Sequence, residues 1–206
     1  MNQPCDPQQQ LDAALLDDLS SSKTFDRRLE RFAAALVAGA DPNATLPAQQ
    51  GSSLSALHLA AKHQKNHPEF ARLLLASGAR VEALDRQGRT PLFLACQEGA
   101  WEVGALLIGA GAKLDSRDNN GTLLMSVILT RFEGDNLHRL VQAMDSEQLR
   151  SASDHFFAMQ PTTMPLRLSV RCFSALSMVQ ARQAALAIEA VALAVEAVLR
   201  LAQRQP

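Results

Sequence analysis

The sequence predicts an all-α fold, an α-solenoid of helix-loop-helix repeats followed by a C-terminal helical extension. Three observations predict it. Residue types recur 33 positions apart in mid-chain: Asp85 as Asp118, Gly88 as Gly121, and the pair Gly78-Ala79 as Gly111-Ala112. Between these marks, apolar residues stand at helical spacing, Leu92, Ala95 and Cys96 in one run and Val103, Leu106 and Leu107 in the next. Finally, all ten Gly lie between Gly39 and Gly134, so the last third of the chain cannot use a Gly-punctuated pattern and forms a helical element of another kind.

Taken in order, "MNQPCDPQQQ" is Gln- and Pro-rich and is expected to be a mobile tail over 1–10. It has neither the basic n-region nor the apolar run of a secretory signal, so export by that route is not expected. Repeats are expected over 11–145, in units of about 11–50, 51–84, 85–117 and 118–145. The first unit joins a helix at "LDAALLDDL" to "LERFAAALVAGADPNA"; its Gly39-Ala40 precedes Gly78-Ala79 by 39 positions, the period plus an insertion. The second reads "SALHLAAKHQKNHPEFARLLLASGARVEA", with two extra residues near Gln64-Lys65 that place Asn66 opposite Gly99. The third reads "DRQGRTPLFLACQEGAWEVGALLIGAGAKLD" and the fourth "DNNGTLLMSVILTRFEGDNLHRLVQAM".

The third unit shows the physics best. Thr90 suits an N-cap, and Pro91 suits the first helical position, where its missing N–H is no loss. Leu92, Ala95 and Cys96 give a narrow face of mostly small side chains that lets units approach closely. Gly99 permits the left-handed backbone that ends the helix, and Gly111 turns the chain out of the second helix.

These residues resemble the ankyrin repeat family, whose pattern is Asp-x-x-Gly-x-Thr-Pro-Leu-His, then Ala-Ala, then Leu-Leu-x-x-Gly-Ala. The third unit departs mainly in Phe93 for the His. The second keeps His58 but has Ser55-Ala56 for Thr-Pro, and the fourth has Leu123-Leu124 there and lacks the final Gly-Ala. The likeness covers about 11–145 and is strongest over 55–115. Degenerate outer units are expected, because a terminal unit has no neighbour on one side. The resemblance implies that His58 bonds neighbouring loop groups, and that protein partners bind on loop tips and the exposed side of each first helix. Carried across, those positions are Lys62 and His63 in the second unit, Arg86, Gln87, Arg89, Gln97 and Glu98 in the third, and Asn119, Asn120 and Arg131 in the fourth. Their excess of Arg and Lys suits an acidic partner.

Over 146–206 the composition changes. "QPTTMP" at 160–165 marks a break, and residues 166–205 have neither Gly nor Pro and are expected to form one helix or a helical hairpin. Residues 184–202 are apolar enough to raise a membrane span, but Glu189 and Glu196 fall inside, and with Arg182 and Gln203 they make a polar stripe seven residues apart. This helix is read as a cap on the solenoid, with a homo-oligomer seam as the alternative.

Bulk composition narrows function. With 20 basic and 21 acidic residues the formal charge is −1, so nothing global favours nucleic acid or an anionic membrane. Aromatics are 4% of the chain, without Tyr, so base-stacking platforms are scarce. Cys5, Cys96 and Cys172 are odd in number and widely spaced, which fits a reducing cytoplasm better than a disulfide framework. His63 and His67 are four apart, and with His138 in a stacked unit they form a candidate set for a zinc ion. His63 and His67 flank a loop insertion, Pro68 breaks the helix and no Cys joins them, so no metal and no cofactor are assigned. No phosphate-binding loop, nucleophile elbow or zinc-protease motif occurs. The expectation is therefore a non-catalytic protein-binding module, with an oligomeric scaffold as the alternative. The Ala-rich, Lys-poor composition fits a bacterium with GC-rich DNA, where an effector or immunity-type protein acting by binding is a further reading.

Overall fold

A computed structural model of the chain describes residues 7–20, 25–45, 54–63, 67–131, 134–158 and 175–189. Among them the helices are α1 (Pro7–Ser20), α2 (Phe25–Val37), α3 (Ala56–His63), α4 (Pro68–Ala76), α5 (Pro91–Glu98), α6 (Trp101–Gly109), α7 (Leu124–Arg131), α8 (Gly134–Gln142) and α9 (Ser146–Ala158), with a tenth, α10, over 175–189. The structure is an all-α solenoid. α1, α3, α5, α7 and α9 pack in sequence as an inner row, and α2, α4, α6 and α8 as an outer row.

Local chemistry sets the helix ends. Thr90 Oγ1 accepts the Phe93 N–H at 3.2 Å, Pro91 is the first helical residue, and Gly99 closes α5 at φ 73°. In the second unit Ser55 takes the N-cap place, its Oγ 3.4 Å from the His58 N–H. Pro68 starts α4, so it separates the two helices of its unit by opening the second. The two extra residues near Gln64-Lys65, and Asn66 after them, lie outside the described residues.

Two expectations shift. The first helix begins at Pro7, so residues 7–10 are helical instead of tail. Side chains hold this turn down: Gln8 Nε2 donates to the Gly39 carbonyl at 2.8 Å, and Asp12 Oδ1 accepts the Asp41 N–H at 2.8 Å. Secondly, α9 continues the inner row against α7 without any repeat motif. Its N-terminus is a reciprocal cap, in which Asp145 Oδ1 accepts the Gln148 N–H and Gln148 Oε1 accepts the Asp145 N–H. The same Gln148 donates from Nε2 to the carbonyls of Ile108 and Ala112, at 3.0 and 2.9 Å. Ile108 lies in the last turn of α6, its carbonyl also accepting the Gly111 N–H, and Ala112 lies just past the end of that helix.

One contiguous apolar core runs from Leu15 to Val179. At its N-terminal end, Arg28 of α2 is buried; it donates to the Asp18 carbonyl of α1 and lies 5.2 Å from the centre of the Phe70 ring of α4. At the other end Trp101, half-buried on α6, is covered by Arg139 of α8 at 4.8 Å, so it packs between units.

Candidate partner-binding groove on the concave face

The loops between units repeat a single device. Asp85 Oδ1 accepts the N–H groups of Gln87 and Arg89, each at 2.9 Å, and the Asp85 N–H reaches the Arg89 carbonyl. One period later, Asp118 Oδ1 accepts the N–H groups of Asn120 and Thr122, at 3.0 and 2.7 Å, and the Asp118 N–H reaches the Thr122 carbonyl. Gly88 and Gly121 close the two loops at φ 72° and 79°, a backbone that other residues enter only with strain. Burial alone would raise the Asp85 carboxyl; the Arg89 guanidinium and two backbone amides outweigh it and hold it below its ordinary value. Asp118 is also held low, slight desolvation being outweighed by the Thr122 and Asn120 donors.

Adjacent loops are tied together. His58 Nε2 lies 3.0 Å from the Arg89 carbonyl while its Nδ1 is 2.7 Å from Ser55 Oγ. A carbonyl can only accept, so Nε2 carries the proton and Nδ1 is an acceptor. Burial pushes the His58 pKa down despite the opposing pull of the Arg89 carbonyl and Asp85. Phe93 replaces this His in the next unit, and the third and fourth loops are joined instead through Asn119. Its N–H donates to the Gln87 carbonyl at 2.8 Å and its Nδ2 to the Arg86 carbonyl at 2.9 Å.

Between those loops and the inner helices lies a groove of about 340 Å³. Five of the ten positions expected to meet a partner line it: Gln87, Arg89 and Gln97 from the third unit, Asn120 and Arg131 from the fourth. Arg89 is held in place, with Nε and Nη2 donating to Asp85 Oδ2 at 2.9 and 2.7 Å, Nη1 to Gln97 Oε1 at 3.0 Å and Nη2 to Gln87 Oε1 at 2.8 Å.

The family model for ankyrin repeats (3 copies) matches residues 27–118. Residues 27–118 carry ankyrin repeats. Over 84 residues it is 39% identical to ankyrin repeat and KH domain-containing protein mask-1 of Caenorhabditis elegans, covering 41% of this chain and 3% of that protein. Over 77 residues it is 35% identical to protein phosphatase 1 regulatory subunit 27 of Homo sapiens, covering 37% and 49%. It is also 39% identical over 56 residues to transient receptor potential cation channel subfamily A member 1 of Homo sapiens, covering 27% and 5%. The chain thus spans at most about half the length of these relatives. Ankyrin repeats are generally protein-interaction modules, and the loops and inner helices described above make up the ankyrin surface.

The other expected positions lie elsewhere on that surface. Lys62 and His63 are exposed at the end of α3 and Glu98 at the end of α5. Glu98 is near enough to His63 to draw its pKa upward, but desolvation and Lys62 prevail and it sits below the ordinary value. Arg86 and Asn119 occupy neighbouring ankyrin loop tips. Phe93, Asp118, Thr122, Val127 and Thr130 also line the groove and were not anticipated. A signal for two of them was present: adding one ankyrin period to Arg89 and Gln97 gives Thr122 and Thr130. Among the described residues, no three His, Cys, Asp or Glu side chains gather as metal ligands, and no helix is long and apolar enough to cross a membrane.

Proposed function

We propose that the protein is a non-catalytic module that binds a protein partner on the concave ankyrin face, in a reducing cytoplasm. The observation that carries this reading is the convergence of Gln87, Arg89, Gln97, Asn120 and Arg131 on one groove whose backbone is fixed by loop-to-loop hydrogen bonds. A surface ordered before binding loses little entropy on association. The non-catalytic character is supported by Cys96, which is fully buried and whose thiol pKa is pushed far up by burial. Residues 146–206 are taken as the extension that closes the stack, in keeping with the Gln148 bridge to α6.

Arg89 is unsuited to testing the face, because its substitution would release Asp85. Replacing Lys62, Arg86 and Arg131 together by Glu leaves that scaffold intact. Quantitative affinity capture with the wild-type and triple-variant chains should show loss of the specific partner. Equal recovery by a variant with an unchanged melting curve would remove the concave face from the proposal.

A homo-oligomeric scaffold is the second reading, favoured by Ile188, 70% exposed on α10. Residues 190–202 of the expected seam lie outside the described residues. Light scattering of the full chain and its Ile188→Glu variant decides the matter: a monomer mass for both excludes the seam.

A further inference from the structure

We propose that the groove between the third and fourth units receives the carboxylate of an acidic side chain in an extended segment of the partner. This rests on the concave-face reading above and specifies its chemistry.

Arg89 can only donate hydrogen bonds, so the groups it meets on Gln87 and Gln97 must be the amide oxygens. Each glutamine is thereby oriented, and its Nε2 donors are left without an acceptor among the described residues. The Arg89 charge is itself matched by Asp85, which makes Arg89 the template for these glutamines and not the cation that meets a ligand. Arg131, contributed to the groove by the fourth unit, is exposed, and its side chain has no ion-pair or hydrogen-bond partner among the described residues.

The groove also contains an acid, Asp118, but its Oδ1 is occupied by two backbone N–H groups. Only Oδ2 is lightly used, with Asn120 Nδ2 at 3.5 Å. Neutral oxygens of Asn120 and Thr122 also line the groove, but among the described residues Asp118 Oδ2 is its one lightly used charged oxygen, and the unpaired charge is that of Arg131. A carboxylate can take charge-assisted bonds from Arg131 and further bonds from the two glutamine amides; an ammonium would face the Arg131 charge, with the Asp118 carboxylate already engaged by two backbone N–H groups. The volume, about 340 Å³, suits a side chain with its flanking backbone, whereas a helix about 10 Å across would not enter.

The test is a titration of the ¹⁵N-labelled full chain with capped tetrapeptides, Gly-Glu-Glu-Gly against its Gln and Lys counterparts. The Glu peptide should shift the Gln87 and Gln97 side-chain amides and the Arg131 Nε–H, with affinity about tenfold above the Gln peptide. The Lys peptide should leave them unmoved. Gln97→Glu preserves the oxygen that Arg89 requires while exchanging the outward donor for an acceptor. Its melting temperature should hold, its affinity for the Glu peptide should fall about tenfold, and the Lys peptide should now bind.

An equal response to the Glu and Gln peptides, or unchanged Glu-peptide affinity in a folded Gln97→Glu chain, overturns the assignment. Partner capture that depends on the concave face while the Glu peptide leaves the groove untouched overturns the carboxylate alone. Capture indifferent to the Lys62, Arg86 and Arg131 substitutions overturns the function and the assignment together.

Discussion

At the scale of single residues, His58 shows how burial selects a protonation state. Its Nδ1 accepts from the Ser55 N–H at 3.3 Å as well as facing Ser55 Oγ, so a proton placed there would confront a donor. The folded-state pKa is lowered from 6.5, and that of His63 is lowered too. Above 6.5 both states hold neutral imidazoles and the full stability is present. As pH falls through that value the unfolded chain takes up protons first, and stability declines. Urea midpoints should therefore drop between about pH 7.5 and about pH 5.5, and His58→Phe should flatten that slope while costing about 1–3 kcal/mol at neutral pH. A wild-type midpoint constant over the range contradicts the assignment. The sequence identified His58 as a loop-bonding residue through its motif place. The use of Arg89 was not legible there, because nothing in the spacing of Asp85, Gln87 and Gln97 shows that all three converge on one guanidinium.

Elements are delimited by backbone chemistry that the sequence displayed only where the ankyrin marks survive. Gly88 and Gly99 have nearly the same positive φ, yet a Cβ at Gly88 would overlap Asn119 Oδ1 whereas one at Gly99 would meet nothing within 4 Å. Gly99→Ala should cost about 1 kcal/mol, the ordinary left-handed penalty. Gly88→Ala should cost about 1–2 kcal/mol more, since the Asn119 bridge must move as well. Equal urea midpoints for the two variants would mean that the bridge contributes nothing. The Thr90, Pro91 and Gly99 pattern made the bounds of α5 legible. α9 was only a generic helix in the sequence because it has no such residues; a glutamine side chain serves both its own start and the end of α6. Gln148→Ala leaves two buried carbonyls and one N–H without that partner. The expected loss is about 2–4 kcal/mol, with faster hydrogen exchange concentrated in α9.

Across the whole molecule, stability is a sum of units and the contacts between them, so cooperativity depends on how evenly those contacts are spread. The buried core is continuous from α1 to α10, and loop-to-loop bonds recur along it: Asn43 Oδ1 accepts the Arg80 N–H, and Glu82 Oε1 the Lys113 N–H. Even coupling of this kind predicts that distant parts unfold together. Trp101, the sole Trp of the chain, lies between α6 and α8 and reports the junction of the third and fourth units, while far-UV circular dichroism reports all helices. In the wild-type chain the two signals should trace one urea transition. The Gln148→Ala substitution weakens the C-terminal side of that junction, and His58→Phe weakens the junction of the second and third units. If coupling is strong throughout, both variants move the two signals together. If the Gln148 bridge is what binds the C-terminal units to the rest, only its loss should make the Trp101 signal change at lower urea than the helix signal. We expect the second pattern, because among the described residues the family marks fade after the fourth loop and Gln148 is the side chain that reaches from α9 back to α6. Superimposable curves in both variants would show that apolar packing alone holds the stack together.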